Sequence, residues 1–210
     1  MRFKYIIWDF DGTLFDTYPS MSTAFYQTLT NYGIKSTADE VMALMKTSMK
    51  KTIDFYTKKY NLGDRFIIDF EKLRDDLEED GIKPFDHIKD ICKNVCDSGG
   101  SNYVFTHRGL SALYFLDKFD MSKYFAECIT SDNKFPLKPA PNAILFLMKK
   151  YGMRPAETIM IGDRKLDIWS AKSAGISACF FSDDNKFNVS ADYNISDFSS
   201  LYRIIGLNRK

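Results

Sequence analysis

Short apolar runs alternate along this chain with longer stretches in which apolar residues recur every third or fourth position. The short apolar runs at 5–8, 103–105, 128–129, 158–161 and 178–181 read as parallel strands, the first with the length and the aromatic, β-branched character of a buried one. Between them Phe85, Ile88, Ile91, Cys92 and Val95, and later Ile144, Leu145, Met148 and Tyr151, follow the roughly 3.6-residue repeat of a helix with one apolar face. Buried strands separated by amphipathic helices predict an α/β fold: a doubly wound parallel sheet with crossover helices. In such a core the carboxyl ends of the strands share one edge, and ligands bind in the crevice outside it.

One stretch breaks the alternation. From about residue 17 to residue 80 only helical patterns occur: Met21, Ala24, Phe25, Leu29 and Tyr32; Val41, Leu44 and Met45; Ile53, Tyr56 and Tyr60; Phe66, Phe70, Leu73 and Leu77. Gly81-Ile82-Lys83-Pro84 reads as the linker back. The expected organisation is an α/β core built from 1–16 and 82–210, interrupted by a helical insert over 17–81. An insert rooted there could open and close as a lid. The charged run at 71–80 reads as that bundle's solvated face.

Composition narrows the functional classes. With 210 residues, 45% of them apolar, the chain can bury a full core and an extra insert. A net charge of +1 with mixed signs leaves no electrostatic footprint for nucleic acid or a membrane surface. No apolar stretch approaches the ~18 residues of a membrane span, and the first residues run into a strand without a signal-peptide pattern, so a cytoplasmic protein is expected. Cys92, Cys96, Cys128 and Cys179 sit among apolar neighbours without zinc-type spacing and read as structural, although Cys92 and Cys96 stand one helical turn apart. The many aromatics leave a monomer and a weak homodimer both open.

Candidate chemistry gathers at the ends of the expected strands. Asp9-Phe10-Asp11-Gly12-Thr13-Leu14 closes the first, placing two carboxylates on one turn, where one acid can attack while the other carries a proton. A calcium loop would need Gly at its sixth position and Glu at its twelfth, whereas here Gly12 is fourth and Ser20 twelfth. Thr106, with the main chain of His107-Arg108-Gly109, forms a possible phosphate cradle at the opening of a helix. Lys138-Pro139-Ala140-Pro141 sets a lysine just ahead of another helix. Gly162-Asp163-Arg164-Lys165-Leu166-Asp167 puts two acids one helical turn apart, suited either to capping or to holding Mg²⁺.

Together, Asp9-x-Asp11-Gly12-Thr13, Thr106, Lys138-Pro139-x-Pro141 and Gly162-Asp163-x3-Asp167 resemble the four motifs of the haloacid dehalogenase-like superfamily, in the family's order. The helical insert resembles its C1-type cap, and the likeness is nearest to phosphoglycolate phosphatase-like members. The resemblance implies a Rossmann-like core and a Mg²⁺-dependent phosphatase acting on a small phosphorylated metabolite. It implies Asp9 as nucleophile, forming an aspartyl-phosphate, and Asp11 as general acid and then base. Mg²⁺ would be held by Asp9, the main-chain carbonyl of Asp11 and Asp163, with Asp167 orienting that shell; Thr106, His107 and Lys138 would bind phosphate.

Two departures bear on specificity. His107 stands where a small polar residue is common in that family, and Arg108 follows it; either could meet a leaving group's charge, or His107 could cap the helix. Lys46, Lys50 and Lys51 surround Thr47-Ser48-Met49, where capped relatives carry a specificity loop. A phosphosugar mutase of β-phosphoglucomutase type is the alternative reading, and a non-catalytic protein binding a phosphorylated ligand a further one. Dehalogenase and phosphonatase chemistry are disfavoured by Asp11.

Overall fold

The structure, a computed structural model, describes residues 1–207; residues 208–210, the end of the expected 82–210 segment, lie outside them. The chain forms two compact units, one of Asp16–Lys83 and one of Met1–Phe15 with Pro84–Lys210.

The smaller unit is helical: α1 (Tyr18–Asn31), α2 (Ala38–Thr47), α3 (Met49–Tyr60) and α4 (Asp64–Gly81). Thr37 and Glu40 form a reciprocal capping box that starts α2. Ser48 ends α2 and caps α3 by accepting the Lys51 N–H at 3.3 Å, so the two helices meet without a loop. Phe25 centres the apolar core, its ring 5.0–5.4 Å from those of Tyr56, Phe66 and Phe70.

Three expectations for this segment need correction. Tyr32, Leu44 and Tyr60 are exposed, because the buried stripe turns away from them. Gly81 is the last residue of α4 rather than part of a linker; a Cβ there would stand 2.6 Å from Ser20 Oγ, so the glycine answers to the close approach of α1. Glu78, read as part of a solvated face, is fully buried, with Arg74 Nε 3.9 Å from its carboxylate one turn back.

The larger unit contains six parallel strands, β1 (Tyr5–Trp8), β2 (Ser101–Phe105), β3 (Phe125–Ile129), β4 (Thr158–Gly162), β5 (Ser177–Phe181) and β6 (Tyr193–Ile195), in the order β3-β2-β1-β4-β5-β6. β6 escaped the sequence reading because it is a three-residue edge strand with Asn194 at its centre, flanked by Asp192 and Ser196. Helices α5 (Ile88–Asp97), α6 (Ser111–Lys118), α7 (Asn142–Tyr151), α8 (Lys165–Ser173) and α9 (Leu201–Ile205) complete the unit.

Side chains alternate between the two faces of the sheet. On one face Ile7, Tyr103, Phe105, Ile129 and Met160 pack against α7 and α8. The buried stripe of α7 is Ala143, Ile144 and Leu147, while Leu145, expected inside, is 46% exposed: the periodicity was right and its phase off by part of a turn. On the other face Trp8 Nε1 donates to Asn102 Oδ1 at 3.0 Å, and Asn102 Nδ2 donates to the carbonyls of Cys92 on α5 and of Tyr124. One buried amide thus ties β1, β2, α5 and the entry to β3 together. All four cysteines are free thiols, and burial pushes the pKa of each upward. No described helix is long and apolar enough to cross a membrane.

Replacing Asn102 with Ala strands the buried Trp8 N–H and two carbonyls. We expect a loss of about 2–4 kcal/mol in urea unfolding; a loss below about 0.5 kcal/mol would show that the bridge is dispensable.

Candidate active site

The strand order reverses around β1, which lies between β2 and β4. Trp8 is level with Val104 on one side and Ile161 on the other. The residues that follow these strands therefore emerge side by side at a topological switch point. Asp9 comes directly after β1, Thr106 directly after β2, and Gly162 closes β4.

Beyond Asp9 the chain folds into a tight turn. Gly12 has φ +71°, and the N–H groups of Leu14 and Phe15 both donate to the carbonyl of Phe10, at 3.0 and 3.1 Å. The rings of Phe10 and Phe15 stack 4.6 Å apart beneath it. Thr13 Oγ1 donates to Asp163 Oδ1 at 3.4 Å, joining the first and last motifs across the switch point.

Asp9 is fully buried, and both of its oxygens are engaged. Lys138 Nζ donates to Oδ1 at 2.7 Å, and Arg164 Nη2 to Oδ2 at 3.1 Å. The same Lys138 ammonium donates to Asp167 Oδ1 at 2.5 Å and lies over the ring of Phe105. Buried charges persist only when paired this closely. Asp167, in the first turn of α8, accepts the Arg164 main-chain N–H through Oδ2 at 2.9 Å, so it caps the helix with one oxygen and holds the lysine with the other. Gly162 makes room for this: a Cβ there would stand 2.4 Å from Asp167 Cβ.

Asp11 has a different partner. Arg108 reaches its Oδ1 through Nε at 2.9 Å and Nη2 at 2.7 Å, with the guanidinium over the rings of Phe10 and Phe115. The 106–110 loop supports this arginine, the Arg108 N–H donating to Thr106 Oγ1 at 3.0 Å. The helix expected to open at 107–109 begins instead at Ser111, so His107 does not cap it. His107 Nε2 accepts the main-chain N–H of Lys138 at 2.7 Å. Burial, reinforced by the positive charges of Lys138 and Arg164, lowers its pKa to about 4, so the ring is neutral and can accept. It steadies the lysine loop.

Carboxylate oxygens of Asp9, Asp163 and Asp167 converge within 4.8 Å of one another, a hard-oxygen set that fits Mg²⁺. The Asp11 carboxylate is outside that trio. Lys46, Lys50 and Lys51 belong to the helical unit: Lys46 lies over the Tyr18 ring, Lys50 pairs with Asp54 at 2.8 Å, Lys51 is exposed, and Thr47-Ser48-Met49 is the α2–α3 junction. Sequence reasoning passed over Arg164. Its position between two of the acids was the signal that could have found it.

Residues 6–181 match the haloacid dehalogenase-like hydrolase family. The chain belongs to that family. Among relatives of this hydrolase, pyrophosphatase PpaX of Oceanobacillus iheyensis is 26% identical over 213 residues, covering 98% of each chain. A phosphoglycolate phosphatase of Vibrio parahaemolyticus is 24% identical over 189 residues, covering 83% of this chain and 82% of its own. A hydrolase of known structure from Streptococcus pneumoniae shares 26% identity at a TM-score of 0.70, covering 99% of this chain and all of the other.

The depressed pKa of His107 makes a contribution to the hydrolase's stability that depends on pH. Between the folded value of about 4 and the ordinary 6.5, the unfolded chain binds a proton that the folded chain does not. Stability from this group is complete above pH 6.5 and is lost as the pH falls toward 4. In His107→Gln, unfolding free energy should therefore fall less steeply over that window than in wild type; identical slopes would contradict a buried neutral imidazole.

Proposed function

We propose that this hydrolase is a Mg²⁺-dependent phosphatase that cleaves a small phosphomonoester through an aspartyl-phosphate on Asp9. The observation that carries the reading is the Lys138 ammonium bonded to both Asp9 and Asp167 with no exposure to solvent. A carboxylate can approach an anionic phosphoryl group only where fixed cations cancel the repulsion.

In this reading an Asp9 oxygen attacks phosphorus and the bond to the leaving oxygen breaks. Asp11 donates a proton to that oxygen, then takes one from the water that cleaves the aspartyl-phosphate, releasing inorganic phosphate and restoring both acids. Arg108 fixes the Asp11 carboxylate for these transfers. Lys138 neutralises oxygens of the transferring group, and Thr106 with its loop lies beside them. Mg²⁺ would be held by Asp9 and Asp163, with Asp167 next to them and the Asp11 carbonyl as a further oxygen. When bound it would supply charge neutralisation and polarise the phosphoryl group.

The helical unit Asp16–Lys83 would act as the cap that excludes water, with Lys46, Lys50 and Lys51 as candidate contacts for an acidic leaving group. The relatives named above act on pyrophosphate and phosphoglycolate, which both present a second anionic group. Substrates of that kind belong first in a screen of phosphate release, beside sugar phosphates and nucleotides.

The purified protein should release phosphate from an aryl phosphate with Mg²⁺. Asp9→Asn should abolish this, and Asp11→Asn should slow it about 10²–10⁴-fold. An Asp9→Asn variant as fast as wild type would refute the proposed nucleophile, and conversion of β-glucose 1-phosphate to an isomer with little free phosphate would indicate a mutase instead.

A further inference from the structure

Arg164 stands against all three of the carboxylates that converge as a cation site. Its Nη2 donates to Asp9 Oδ2 at 3.1 Å, while its Nε lies 4.0 Å from Asp163 Oδ1 and 3.9 Å from Asp167 Oδ2. The side chain is only 10% exposed, so little water screens these contacts. Its root is fixed as well, because its main-chain N–H is held by Asp167.

We propose that Arg164 is an internal counter-cation that competes with the divalent metal ion for Asp9, Asp163 and Asp167, and so sets the metal concentration at which the site loads. This rests on the metal-dependent reading above.

The geometry decides which cation gives way. Asp9 offers two oxygens, one taken by Lys138 and the other by Arg164. Each oxygen keeps a second lone pair, so a metal ion need not evict either donor to reach Asp9, but its charge opposes the cations that already border Asp163 and Asp167. Lys138 is fully enclosed and grips two carboxylates at 2.5 and 2.7 Å, so moving it would strand a buried ammonium and its partners. Arg164 makes longer contacts, keeps slight exposure and has a long flexible stem. Two like charges within one carboxylate set repel, and the guanidinium is the one able to withdraw. Arginine and metal ion are therefore linked reciprocally: each weakens the other's hold on the trio.

The test is calorimetric titration of Mg²⁺ into metal-stripped full-length wild type, Arg164→Ala and Arg164→Gln, with melting temperatures recorded in chelator and in Mg²⁺. Loss of the guanidinium should tighten Mg²⁺ binding about 5- to 150-fold, the usual range of a coupling between two sites. The variants should also melt lower than wild type in chelator and gain more from added Mg²⁺. Arg164→Gln, which keeps bulk without charge, covers the case in which the alanine variant does not fold. Equal or weaker Mg²⁺ binding by the variants, or no binding by any of the proteins, would overturn the proposal. Phosphate release by wild type separates the two readings. Equal affinities in an active enzyme remove the competition alone, and raised affinity in a protein that releases no phosphate from any substrate removes the phosphatase alone.

Discussion

The ammonium of Lys138 lies between the carboxylates of Asp9 and Asp167, without contact with solvent, in a unit whose other buried groups are mostly apolar. A cation in that position is tolerable only while both anions stay within hydrogen-bond reach, and the anions are tolerable only because the cation is there. The three residues come from different segments: the end of β1, the loop before α7 and the first turn of α8. The charge cluster therefore exists only where the sheet is assembled in its observed order. Gly162 gives Asp167 the space to take part, and the neutral His107 ring holds the lysine's own main chain.

Around this bond the charges are divided so that the two acids of the first motif differ in surroundings. Asp9 is fully enclosed and faces Lys138 and Arg164. Asp11, two residues later and partly exposed, is bonded to Arg108. A nucleophile needs a dry, cation-lined setting, whereas a proton carrier must reach a leaving group and water. The turn built on Gly12 and the stacked rings of Phe10 and Phe15 separates these two surroundings within three residues, as the proposed roles require. In the reading favoured here, Arg164 adds a threshold, since the carboxylates that would hold the metal ion are already partly satisfied.

Much of this was legible in the chain. Four strands stood out because buried parallel strands are near-continuous apolar runs, whereas β3, at the sheet edge with Glu127 inside it, showed only its last two residues; each candidate motif followed a strand or opened the next helix. What escaped depended on spatial neighbours. β6 is short and polar-flanked, Gly81 answers to Ser20 rather than to a turn, and the buried stripe of α7 is phased by the sheet it covers. Arg164 was hardest to read, since a charged residue in a polar loop looks solvated in sequence; Arg108 was singled out, but only the folded chain shows that it meets Asp11, as Arg164 meets Asp9. Glu78 hid in the same way among charged neighbours.

The most direct measurement is the urea-unfolding free energy of Lys138→Met, which keeps the length of the side chain and removes its charge. The account predicts a loss of about 3–5 kcal/mol, as expected when one partner of a buried ion pair is removed, with part of it recovered when Asp9→Asn is added. A variant within about 1 kcal/mol of wild type, with no recovery in the double variant, would show that the lysine does not hold the site together.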